Sequence, residues 1–287
     1  MPEERCRCVI CEPPPPATLD AGDRGVIANV LEHGWHATHI LEEDEVPEWV
    51  FSSGLTHSHG IPELAMFGLP GKQAHSWLWA FVYRALEGSP PQPGVIDGGV
   101  VGDMPIALRP VDPGWHPYLF GYARWFAQHR EPTFLQVVWP DDEERWPWEE
   151  GCDPYVVQRQ PDLTLPPSEH PMGLWSMALV PEPWPFADGK TSLVHATTTI
   201  AFGGAPVLGA ARFEEGWLFD DGPREAWSEE DFELVCLGHV VGAHPDTAEL
   251  FDLPVGWRAW REAPGEPWER APVDEAEDDD AVDAPPA

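Results

Sequence analysis

Lysine is nearly missing from this chain. Of 287 residues only Lys72 and Lys190 are lysines, and 14 arginines supply the remaining side-chain positive charge. Against 50 acidic residues this leaves a formal charge of −34. Such a field repels nucleic acid and anionic lipid, so neither is expected as a partner, and it attracts a basic protein. Long apolar runs are also absent: none approaches the roughly 18 to 20 residues that span a bilayer. The opening MPEERCRCVICEPPPP has no apolar segment of secretory length, which predicts a cytoplasmic protein. Five cysteines, an odd number without an export signal, do not make a disulfide framework. There is no Walker loop, no GxGxxG after a strand, no GxSxG elbow, no HExxH and no kinase signature, which disfavours the familiar nucleotide and hydrolase chemistries.

What is present argues for a folded α+β protein of two small domains, each a short sheet covered by helices. The apolar fraction is 43% and there are 16 tryptophans, enough to build real cores. Residues 1–19 read as an irregular Cys- and Pro-rich leader. In the domain expected over 20–165, Asp20 or Asp23 caps a helix carrying Val26, Ile27, Val30 and Leu31 at helical spacing, with Gly34 at its end. Strands are predicted in WHATHIL, EWVFSSGL and ELAMFGL, then a helix over 72–88 whose Trp77, Leu78, Phe81, Val82, Ala85 and Leu86 share a face. Residues 89–103 read as a loop, MPIALRPV as a strand, 115–129 as one helix and TFLQVVW as a strand. Residues 166–190 are too proline-rich for regular structure and read as a linker.

The second domain is expected over 191–270. HATTTIAFG, PVLGAARF and GWLFDDG are its first strands, FELVCLGHVV is helix or strand, and LPVGWRAWRE and PWER close it. Ser228 and Asp231 have capping-box spacing. Residues 271–287, with seven acids and no base, read as a disordered tail.

Three groups of residues carry possible chemistry. Cys6, Cys8 and Cys11 put three thiols within six residues, which reads as a zinc site lacking a second Cys-x-x-Cys, with Cys152 or a histidine as candidate fourth ligand, as a redox-active or free thiol cluster, or as cysteines without a role. In FSSGLTHSHGIPELAMFGLP, His57 and His59 stand two apart, so on an extended strand both reach one metal, with Glu63 beyond the turn. The same turn reads equally as a plain connection shaped by Gly54, Gly60 and Pro62. Gln136, Asp141 and Gln160 are polar residues inside apolar or aromatic blocks. They either bond loop backbone or line a small-molecule or flavin-type cofactor cleft with Ser52, His57, Glu63 and Trp139.

PEWVFSSGLTHSHGIPELAMFGLP resembles the signature of a bacterial family, domain of unknown function 4262. The fit runs through Pro47, Trp49, Gly54, Leu55, His57, Gly60, Pro62, Glu63, Leu64, Gly68 and Leu69. Phe51, Ser52, His59 and Ile61 depart from the family's preferences. CRCVIC is similar to the paired cysteines that open many members, and LQVVWPDDEERWPWEEG with QRQPDL to its second block, so the resemblance spans about residues 6–165. It implies no established activity. The C-terminal half loosely resembles immunity-type α+β modules. Together these readings favour a binding or interaction protein with a basic partner, and a cleft-bearing small-molecule binder or enzyme as the alternative.

Overall fold

The computed structural model describes residues 6–224 and 227–273, the side chains of 95–98 excepted. The tail expected over 271–287 therefore lies outside the described residues from 274 onward. The chain divides into two units, Met1–His170 and Pro171–Ala287. Among the described residues no helix is long and apolar enough to cross a membrane.

The first unit opens with α1 (Ala21–His33), whose ends are written in its sequence. Asp20 and Asp23 form a reciprocal capping box, and Gly34 closes the helix at φ 83°. Then come β1 (His36–Ile40), β2 (Trp49–Ser53), α2 (Leu55–His59), β3 (Glu63–Phe67), α3 (Gly71–Leu86), β4 (Gly94–Val101) and β5 (Met104–Pro110). Next are α4 (His116–Leu119), α5 (Gly121–Ala127), β6 (Phe134–Val138) and α6 (Pro154–Arg159). The sheet order is β1-β2-β3-β6-β5-β4. Only β3 and β6 pair in parallel, with Glu63 opposite Phe134; the other neighbours are antiparallel.

Alternation along the strands sorts two cores. Val50, Leu64, Met66, Leu135 and Val137 pack with Leu78, Phe81 and Val82 of α3. Burying those three helix residues contributes about 5–9 kcal/mol at about 1.5–3 kcal/mol each. Phe51, Phe67, Phe120 and Phe134 form an aromatic cluster, with Phe120 and Phe134 stacked at 4.0 Å. A third cluster holds the leader: Cys8 and Val9 are buried with Val26 and Val30 of α1 and Phe126 of α5.

Several expectations change. The segment between β2 and β3 is not a bare turn but the one-turn helix α2, entered at Gly54 (φ 98°) and left at Gly60 (φ 68°). Residues 94–101, read as loop because strands are poor in glycine, pair with β5 across a Gly102 turn and a register shift after Ile96. The helix expected over 115–129 breaks at Phe120, whose φ −128° and ψ 42° are not helical. Of the linker expected over 166–190, the part from 171 onward belongs to the second unit: Trp175, Ser176, Met177 and Leu179 are buried, and Phe186 joins that unit's core.

That second unit carries β7 (Leu193–Thr197), α7 (Thr198–Gly203), β8 (Gly209–Arg212), β9 (Trp217–Asp220) and β10 (Phe232–Cys236). It continues with α8 (Leu237–Ala243), β11 (Trp257–Trp260) and β12 (Glu269–Pro272). Its sheet order is β10-β7-β9-β8-β11-β12. HATTTIAFG is thus half strand and half helix, and FELVCLGHVV is strand then helix. The box at Ser228 and Asp231 forms as spaced. Gly242 lets α8 lie on the Ser176 backbone, where a Cβ would collide with the carbonyl oxygen.

Candidate metal centre

The leader and α2 meet at one point. The Sγ atoms of Cys6, Cys8 and Cys11 lie 3.5, 3.3 and 3.7 Å from Nδ1 of His57. All four ligand atoms fall within 4.8 Å of one another. Sulfur at about 2.3 Å and nitrogen at about 2.0 Å from a tetrahedral zinc stand about 3.6 Å apart. The three sulfur-to-nitrogen distances thus match those of a Cys3His zinc shell.

Local structure explains the convergence. Cys8 to Cys11 is a tight turn: the N–H groups of Ile10 and Cys11 bond the Cys8 sulfur, and the Glu12 N–H returns to the Cys8 carbonyl at 2.9 Å. Amide donors aimed at a sulfur favour its thiolate form. Val9, between the cysteines, is buried and donates its N–H to the Phe126 carbonyl at 3.0 Å, which seats the turn on α5. Burial pushes the Cys8 thiol up to about 12 when no cation stands beside it. Burial also holds His57 below the usual imidazole range, so its ring is neutral at pH 7, as a metal ligand must be. Its ring stands edge-on to Phe126, centroids 6.1 Å apart.

The helical character of α2 separates the two histidines expected to act together. Residues two apart on a helix point about 200° apart. His57 faces the cysteines, while His59 is directed at Gly34, whose missing Cβ leaves room for the ring. His59 is therefore not in the ligand set, and neither is Cys152, which lies 3.5 Å from the Arg145 carbonyl.

Behind the ligand turn sits Glu63, the first residue of β3 and buried. Its carboxylate accepts from the N–H groups of Gly54 (3.0 Å), Leu55 (3.3 Å) and Thr56 (3.1 Å), and from Ser52 Oγ (2.6 Å). Ser52 Oγ in turn accepts the Leu64 N–H at 2.8 Å. Burial pushes the Glu63 pKa up, and the four donors offset that rise only in part. Every partner is a donor, an arrangement that satisfies a carboxylate and not a carboxylic acid. A cleft of about 80 Å³ touches Cys6, Cys8, Thr56, His57 and Glu63.

The other polar candidates stand apart from this centre and fasten backbone. Gln136 donates to the Pro161 carbonyl at 2.7 Å. Gln160 makes two bonds to the Trp139 backbone, at 3.0 and 2.8 Å, and the Trp139 indole donates to the Phe67 carbonyl. Asp141 accepts from the N–H groups of Glu143, Arg145 and Asp153 and from the Arg145 guanidinium. So Ser52 and Glu63 are brought together, as are Trp139 and Gln160, while Asp141 organises its own loop. Sequence reasoning found the three thiols and the histidine turn separately. What it missed was the carboxylate's part in shaping that turn. The clue was a lone acid opening an otherwise apolar strand.

Residues 29–153 match the model of the family described as Domain of unknown function (DUF4262). The matched stretch lies within the first unit. The match begins inside α1 and includes His57 and Glu63 but not the cysteines of the leader. No curated protein and no solved structure matches the chain.

Proposed function

We propose that the first unit is a zinc-binding domain, with Cys6, Cys8, Cys11 and His57 as a complete ligand set and the metal fastening the leader to the folded sheet. One observation carries this reading: three sulfurs stand 3.3–3.7 Å from a single imidazole nitrogen. Three thiolates and an imidazole select a soft or borderline cation over magnesium or calcium. Four protein ligands leave no open position, which favours a structural role over a hydrolytic one. The test is substitution with cobalt(II). A thiolate-rich tetrahedral site turns the protein intensely coloured, with sulfur-to-cobalt charge-transfer bands. Those bands vanish in Cys8→Ser and His57→Ala. A weak spectrum of octahedral cobalt in the wild-type chain would sink the reading.

A second reading rests on charge. With a formal charge of −34, and with Arg7, Arg109, Arg145, Arg159 and Arg212 each already beside a carboxylate, the surface suits a basic protein partner. Such an association weakens as salt rises. An affinity unchanged between low and high salt would contradict it.

A further inference from the structure

Resting on the zinc reading, we propose that Glu63, which is not a ligand, sets the metal affinity of the centre by holding the His57 turn in its binding shape. Helix α2 has five residues, too few to persist alone, because nucleating a single turn is unfavourable. The N–H groups at the start of any helix lack intrahelical partners. Here the N–H groups of Gly54, Leu55 and Thr56 all end on one carboxylate. That carboxylate is itself fixed by Ser52 and by the place of Glu63 in the sheet, where its own N–H bonds the Thr133 carbonyl at 2.8 Å. His57 follows Thr56 directly, so the position of Nδ1 relative to the three sulfurs depends on this clamp. The cleft that reaches Cys6, Cys8 and His57 also reaches Glu63.

The clamp's effect on affinity separates from its effect on folding by linkage. A residue that only supports the fold lowers stability equally with and without zinc. A residue that prepares the ligand set lowers it more with zinc, because it changes how well the folded state binds. The experiment compares wild type, Glu63→Gln and Leu78→Ala, a core variant away from the turn. Zinc affinity is measured by competition with a chromophoric chelator, and melting temperature is measured in zinc and in chelator. Glu63→Gln is expected to lower zinc affinity about 10- to 100-fold, the range for partners that orient ligands, and to narrow the gap between the two melting temperatures. Leu78→Ala is expected to lower both temperatures together and to leave the affinity unchanged. If Glu63→Gln does not fold, Ser52→Ala removes one of the four donors and is expected to weaken zinc severalfold in the same direction. Wild-type affinity in a folded Glu63→Gln, or in Ser52→Ala when Glu63→Gln does not fold, overturns the proposal. A wild-type chain that takes up no zinc overturns instead the reading beneath it.

Discussion

Removing the metal is expected to free the leader and leave the sheet folded. The leader from Cys6 to Glu12 is short, and Cys6 and Ile10 are only partly buried against α1 and α5. Val9 is buried and donates one hydrogen bond to Phe126, Cys8 is buried, and Gln128 reaches the Glu12 carbonyl at 3.4 Å. Burying Val9 contributes about 2 kcal/mol, Cys8 about 1 kcal/mol and the partly buried Cys6 and Ile10 about 1 kcal/mol together, and each hydrogen bond about 1 kcal/mol, for a total of about 6 kcal/mol. Ordering the seven residues costs about 7–14 kcal/mol. The leader is thus not expected to stay seated on these contacts, whereas a structural zinc contributes about 10–16 kcal/mol. Meanwhile α3 and the sheet keep their own core. The assay is limited trypsin digestion read by mass spectrometry. Arg7 lies between two ligands, so the Arg7–Cys8 bond is expected to be cut quickly in chelator and slowly in zinc, with cleavage elsewhere in the first unit unchanged. Equal protection of Arg7 in both conditions would refute the reasoning. So would loss of the whole unit on chelation, because the metal would then be holding more than the leader.

Other expected outcomes address separate parts of the chain. Zinc binding releases protons, since Cys8 is protonated in the metal-free protein, its thiol pushed up to about 12 by burial. Affinity therefore falls as pH falls, and titration calorimetry in buffers of different ionisation enthalpy counts the protons; a count of zero would contradict the ligand assignment. At Asp141 burial raises the pKa, but the backbone donors of Arg145 and Asp153 and the Arg145 guanidinium outweigh it and hold the group at about 2. A depressed folded-state pKa contributes stability above the unfolded value near 4 and loses it as pH falls toward 2. Asp141→Asn is therefore expected to flatten the acid limb of the stability curve between pH 4 and pH 2; an unchanged limb would contradict that. Gln160→Ala removes two buried bonds to the Trp139 backbone and is expected to cost about 2–4 kcal/mol in urea denaturation. A loss below about 0.5 kcal/mol, the usual size of a surface effect, would show the clamp to be slack.

Much of this molecule is legible in its sequence, and the illegible parts share a cause. Helix α1 announces both ends with Asp20 and Gly34, and α3 shows its buried face in Leu78, Phe81 and Val82. These are local signals, and local physics decides them. The connection between β2 and β3 misleads because its apolar residues fit a strand on either side. Only the paired glycines Gly54 and Gly60, both at positive φ, mark a helical turn between them. That single change of period separates His57 from His59. The Cys-x-Cys-x-x-Cys spacing points to metal, but the proposed fourth ligand, His57, is 51 residues from Cys6. Tertiary packing of the leader on α1 and α5 chooses it over Cys152. Gln136 and Gln160 invite a ligand-cleft reading because a polar residue in an apolar block needs a partner. Their partners are backbone groups of Pro161 and Trp139, which no spacing rule reveals. The strand at 94–101 hides in its glycines and exists because β5 offers it an edge.

The most direct test of the central claim is native mass spectrometry of the chain purified without chelator and reconstituted with zinc. The account predicts one zinc per chain, with the protons of the displaced thiols missing from the mass. It predicts the loss of that zinc in Cys8→Ser and in His57→Ala, and its retention in His59→Ala and Cys152→Ser. A wild-type mass without metal after reconstitution would contradict it, as would zinc that survives His57→Ala and leaves with His59 or Cys152.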